Sequence, residues 1–254
     1  MASVSEVKSL LVDTTMPQRV IDDLLDQASA LWLMSVPAEV LAGDLVLCHP
    51  ALGEHEVRAA AHPTDDGGIR LTVVAHDRPG LLADTAAVLA AEGLSISAAS
   101  AMSWTGSGLA LHALTVTDAA LTSARWARLG ARLQGLGTEA PPTVDFTPIG
   151  RATATSSPSG MGRCVVTVTA PDQVGLLCAI CRWFAEHGTS IEAAHVGATE
   201  GEVEDHFIVV GHPDVTGLAA RLTGTPESLP EVFRDAADAF VGVAAGLMRR
   251  VARR

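Results

Sequence analysis

Tyrosine is absent from this chain of 254 residues, and Lys8 is its only lysine. The first absence removes phenol acid–base chemistry. The second excludes a phosphate-cradling P-loop, which depends on its own lysine. A Schiff base would have to use Lys8, in what reads as a loose N-terminal stretch. Cysteine is scarce: Cys48, Cys164, Cys178 and Cys181 are too few and too unevenly placed for a disulfide framework. Basic residues are also few, 17 against 29 acidic ones for a net charge of −12. Their only cluster is Arg249, Arg250, Arg253 and Arg254. Gripping a phosphate backbone needs clustered Lys and Arg, so no nucleic-acid partner is expected. No apolar run reaches about 18 residues, and the start is not of signal type. The expectation is a cytoplasmic protein with no membrane partner. No Gly-x-Ser-x-Gly elbow and no His-Glu-x-x-His occur.

What is present is a repeat. Hydrophobic residues make 48% of the chain, so a packed core is expected. Residues 72–99 match residues 167–194 at a constant shift of 95. Thr72/Thr167, Asp77/Asp172, Gly80/Gly175, Leu81/Leu176, Leu82/Leu177, Gly93/Gly188, Ser95/Ser190 and Ile96/Ile191 coincide without a gap. The chain therefore carries two copies of one module.

Each copy has the same local grammar. An apolar run (Leu71–Ala75; Cys164–Thr169) predicts a buried strand. Asp77 or Asp172 follows, placed to cap a helix starting near Pro79 or Val174. Gly93 and Gly188 end those helices where a left-handed residue is wanted. Second strands are predicted at Ser95–Ser103 and Ser190–Ala198, and third strands at Leu109–Thr117 and Val203–Val210. Thr122–Leu136 reads as a further helix and Thr143–Ile149 as the first copy's fourth strand. The second copy shows a short helix at Asp214–Leu222 and no clear fourth strand. Upstream, Thr15–Gln18 predicts the start of a helix running to about Ser35, and Glu54–Ala61 a possible strand. Ser228–Glu231 resembles a capping box opening a long amphipathic helix.

The fold expected is α+β: two ferredoxin-like βαββαβ units in tandem with helical N- and C-terminal extensions. The divisions are 1–66 for the N-terminal extension, 67–150 for the first unit, 151–162 for a linker, 163–225 for the second unit and 226–254 for the C-terminal helix.

Asp77-Arg-Pro-Gly-Leu-Leu82 and Asp172-Gln-Val-Gly-Leu-Leu177, each between a strand and a helix, resemble the signature of ACT domains. These are small regulatory modules that often bind amino acids. The paired arrangement is similar to the C-terminal half of the PII uridylyltransferase/uridylyl-removing enzyme and to the glycine cleavage system repressor. The catalytic motifs of that enzyme, a Gly-Ser with an Asp-x-Asp pair and the helical His-Asp sets of a metal phosphohydrolase, are not found here. The resemblance implies a regulatory, amino-acid-sensing protein. It would bind a small amino acid or related carboxylate at module interfaces, signal to a protein partner and form a homodimer, with no cofactor. By the same resemblance the ligand-binding residues are Asp77, Gly80, Leu81 and Leu82 with Ser95 and Ile96, and Asp172, Gly175, Leu176 and Leu177 with Ser190 and Ile191. Physically, glycine at a helix start lets a ligand approach the backbone, and free N–H groups can hold a carboxylate.

A second reading makes the scaffold a small enzyme, metal or redox module. Cys178-Ala-Ile-Cys181 has redox or zinc spacing, although Cys181 also belongs to the helix's core stripe. If Glu200-Gly201 is a two-residue turn, His195 faces His206 across a hairpin, a weak candidate metal pair with Glu204 and Asp205 nearby. His112 lies on the corresponding strand of the first copy.

Overall fold

The computed structural model describes residues 2–64, 67–117, 122–199 and 201–225. The amphipathic helix expected at 226–254 lies outside them. An eight-stranded sheet organises the chain, with neighbouring strands antiparallel in the order β1-β2-β4-β3-β7-β8-β6-β5. The first module contributes β1 (Arg58–Pro63), β2 (Ile69–His76), β3 (Ile96–Trp104) and β4 (Leu109–Val116). The second contributes β5 (Thr153–Gly160), β6 (Arg163–Pro171), β7 (Ile191–Thr199) and β8 (Glu202–Val210).

The helices α5 (Leu81–Ala91), α6 (Ser123–Gly135), α7 (Leu176–Glu186) and α8 (Val215–Thr223) lie on one face. They share one core with the inward-facing residues of both modules, from Leu71 and Val73 to Val168 and Phe207. On the opposite face α1 (Val4–Leu11), α2 (Gln18–Asp26), α3 (Ala30–Leu33) and α4 (Ala38–Val46) build a second core over the first module. Trp32 and Trp104 meet there edge to face at 6.5 Å, and the Trp104 indole N–H donates to the Leu24 carbonyl at 2.7 Å. This cover explains a difference between equivalent strands. β2 is buried on both faces, whereas β6 alternates, with Cys164, Val166, Val168 and Ala170 inward and Val165, Thr167 and Thr169 half-buried.

Four expectations are corrected. Residues 143–149 form no strand: the fourth-strand place is taken by β1, which reaches it through a short turn and pairs Ala59 with Val73. Pro141, Pro142 and Pro148 lack N–H donors for a ladder there, and Val144 and Phe146 pack on the helix-side core instead. The stretch 151–162 is not a linker, because β5 lies within it and pairs with β6, supplying the fourth strand that the second copy was expected to lack. The helix expected up to Ser35 is broken into α2 and α3, and Pro17 rather than Thr15 is its N-cap. The N-terminus is not loose either: a Ser3–Glu6 capping box starts α1, and Lys8 pairs with Asp22 on α2 at 2.6 Å.

One buried ion pair ties the two layers together. On α4, Asp44 accepts from Arg70 Nη2 at 2.5 Å and from the Thr72 hydroxyl at 2.6 Å, both on β2. Asp44 and Arg70 are 2% and 5% exposed, so truncating one strands the other's charge in the core. Asp44→Ala should cost about 3–5 kcal/mol in denaturant unfolding. A loss under about 1 kcal/mol would show that the pair does not hold the layers together.

Candidate functional site

The modules meet along β3 and β7. The pairs Ala99↔Val196, Ser100↔His195 and Ala101↔Ala194 are symmetric under the repeat shift, so a local twofold axis passes between Ser100 and His195. Above this seam α5 packs on α7 in the common core. The antiparallel crossing brings the Gly turn of each module against the end of the other module's helix. A Cβ on Gly80 would stand 3.6 Å from Ala185 Cβ, and one on Gly175 would stand 3.9 Å from Ala90 Cβ.

This geometry re-sorts the twelve residues singled out by resemblance. Asp77, Gly80, Leu81 and Leu82 come together with Ser190 and Ile191 of the other copy, around a cavity of about 230 Å³. Asp172, Gly175, Leu176 and Leu177 come together with Ile96 around a pocket of only about 20 Å³. There the Ser95 hydroxyl donates to Asp172 Oδ2 at 3.0 Å, linking the two modules. The equivalent first site is open and the second is filled.

Gly80 and Gly175, not Asp77 and Asp172, are the helix N-caps. Each has left-handed backbone (φ 81° and 90°), and no side chain caps either helix. Asp77 therefore does not serve as a cap. Its side chain is left at the cavity's rim, where desolvation raises its pKa against the Ser103 hydroxyl and the Arg78 N–H. Ion pairs from Arg78 Nη1 to Asp84 (2.7 Å) and from Arg182 to Asp84 (3.7 Å) run from this loop across to α7. Arg78 also donates to the Leu136 carbonyl at the end of α6. Glu192, on the far wall, is held by two hydrogen bonds from Arg163.

A further residue lines the open cavity and was not among the twelve. His112 on β4 is 4% exposed and faces the helix layer between Val73 and Ala101. Burial, with Arg78 nearby, pushes its pKa down to about 3, so its imidazole is neutral. The hairpins differ in length, and the register shows which residue of β8 corresponds to His112. Val73 pairs with His112 and its repeat partner Val168 pairs with Asp205, so the counterpart of His112 is Asp205, not His206. Asp205 is 1% exposed, its Oδ1 has no hydrogen-bond partner, and desolvation, then Asp172, raises its pKa to about 7. A lone histidine in the apolar run of β4 was the signal for this position.

The other candidates are placed as follows. His195 and His206 are direct partners in the β7–β8 ladder. His206 is engaged with Thr167 at 3.2 Å and Glu204 at 3.1 Å, and burial, then His206, lowers the pKa of His195. Among the described residues no three His, Cys, Asp or Glu side chains converge as a metal site. Cys178 and Cys181 are free and buried, and desolvation raises both pKa values, the opposite of a reactive thiolate. Among the described residues no helix is long and apolar enough to cross a membrane.

No protein among those with curated functions matches the chain in sequence. Among solved structures it is similar to an aspartate kinase from Synechocystis, at 16% identity and a TM-score of 0.39, over 61% of this chain and 26% of that one. Residues 165–224 match the family model of the ACT domain, so an ACT domain is found in the second module.

The two buried groups give opposite pH signatures. Asp205 stays protonated when folded up to about pH 7, whereas the unfolded carboxyl ionises near 3.8, so its contribution to stability falls as pH rises through that window. His112 stays neutral down to about pH 3 against 6.5 unfolded, so its contribution falls as pH drops from 6.5 toward 3. The stability gained by Asp205→Asn over the parent should grow on the order of 1 kcal/mol per pH unit between pH 4 and 7. A pH-independent difference in chemical denaturation would mean that the Asp205 carboxyl is not desolvated.

Proposed function

We propose that the chain is an amino-acid-sensing regulatory protein. It binds a small amino acid in the open cavity between its modules and passes the signal to a protein partner. One observation carries the reading: an uncapped helix N-terminus and an acidic side chain with no ion pair among the described residues converge on one inter-module cavity. The first-turn N–H groups of α5 favour a carboxylate, by hydrogen bonding and by the helix dipole. Asp77 offers an anion to an ammonium group, while Glu192 is already neutralised by Arg163. Holding both ends of an α-amino acid needs this pair of opposite preferences. The ACT domain found at residues 165–224 agrees with it, since such domains are regulatory amino-acid-binding modules.

The route outward begins at the loop itself. Arg78, next to Asp77, bonds to Asp84 and to the end of α6, and Asp84 reaches α7 of the other module through Arg182. A ligand that repositions this loop changes contacts on both modules. A homodimer belongs to the same reading, since among the described residues β1 and β5 end the sheet with no further strand beside them. The site uses no cofactor in this reading.

Asp77→Asn should weaken amino-acid binding by at least about tenfold, because a charged hydrogen bond is lost. Asp172→Asn, in the filled site, should leave it within about twofold. Calorimetric titration against the common amino acids reads both. Equal effects of the two substitutions would contradict a single working site, and no binding by any amino acid to the parent protein would end the sensing reading.

A further inference from the structure

We infer that the open cavity selects an amino acid with a small, uncharged side chain that donates a hydrogen bond, a hydroxyl or a carboxamide, to Nε2 of His112. The inference rests on the amino-acid reading above and specifies its ligand.

The tautomer follows from the hydrogen-bond chain. Thr85, in the second turn of α5, donates its one hydroxyl hydrogen to the Leu81 carbonyl at 2.9 Å. Its oxygen lies 3.0 Å from His112 Nδ1. With the hydroxyl hydrogen committed, Nδ1–H is the donor of that contact, and Nε2 carries a lone pair. No described residue is hydrogen-bonded to Nε2, and the ring lines the cavity.

The surroundings restrict what can meet that lone pair. Leu82, Ala101, Cys181 and Ala185 supply small or apolar walls, and His112 is the one buried side chain among the described lining residues with a strong hydrogen-bonding atom. In the free protein solvent can donate to Nε2. A ligand that displaces the solvent must replace that donor or leave a buried acceptor unpaired. A carboxylate side chain would set its own lone pairs against Nε2. A cationic side chain would meet the Arg78 guanidinium, whose charge already acts on the ring. A cavity of about 230 Å³ accommodates an amino acid, so the choice among side chains falls to the chemistry of the wall. The preference belongs to the first site alone, because the filled one has Asp205 at this position.

The test uses ligand pairs of nearly equal shape that differ in the donor: threonine against valine, and asparagine against leucine. Calorimetric titration of the parent protein should favour the donor of at least one pair by at least about tenfold. His112→Phe, checked for folding by near-UV circular dichroism, should reduce that preference to about twofold or less. Independently of any variant, the ¹⁵Nε2 resonance of His112 should differ between the two complexes, keeping a hydrogen-bonded acceptor's position with the preferred ligand and moving to an unpaired acceptor's position with its apolar counterpart. Equal or tighter binding of both apolar ligands, or an Nε2 resonance at the same position in the donor and apolar complexes, would overturn the inference while leaving amino-acid sensing intact. Failure of every amino acid to bind would overturn both.

Discussion

The antiparallel pairing of β3 with β7 is the constraint from which the site follows. Its register is symmetric under the repeat, and it fuses two four-stranded units into one sheet with one shared helix layer. Because the strands run in opposite directions, the start of β7 lies beside the loop after β2, and the start of β3 beside the loop after β6. Neither module could form the cavity alone. The helix start comes from one copy and the strand start from the other, so ligand binding and module contact share the same surfaces.

Symmetry of backbone coexists with divergence of side chains. Both modules keep the left-handed glycine, the uncapped helix and the preceding aspartate. In the second site Ser95 has bonded to Asp172, and Val144 crowds Gly175 to 3.3 Å from where a Cβ would stand. A buried carboxyl at Asp205 replaces a buried imidazole at His112. An ungapped repeat thus yields one open cavity and one filled pocket, and the open one contains the neutral, hydrogen-bonding wall.

The order of strand, helix, strand and strand was legible because the repeat fixes each element twice and the glycines mark the same turns. What escaped was set by distant pairing. β5 reads TATSSPSG, small and polar with a proline and a glycine, a composition equally suited to a linker. It becomes a strand only because β6 presents an open ladder. Thr143–Ile149 has the β-branched and aromatic residues of a strand, but the edge position it would fill is taken by β1, and its Val144 and Phe146 pack against the helix layer instead. The N-terminal cover was legible in retrospect from β2, whose apolar run exceeds the alternation of a one-sided strand. At the site, the residue types were readable and their partnership was not. One repeat shift identifies equivalent loops, but it cannot say which loop faces which strand.

Hydrogen exchange with and without a saturating small amino acid tests the central claim most directly. A ligand held between the modules at the first site should slow exchange at residues 77–85 and 188–192 together, while residues 172–178 and 94–97 stay unchanged. Protection confined to the second set, or to one module alone, would contradict a site built by the crossing of the two copies.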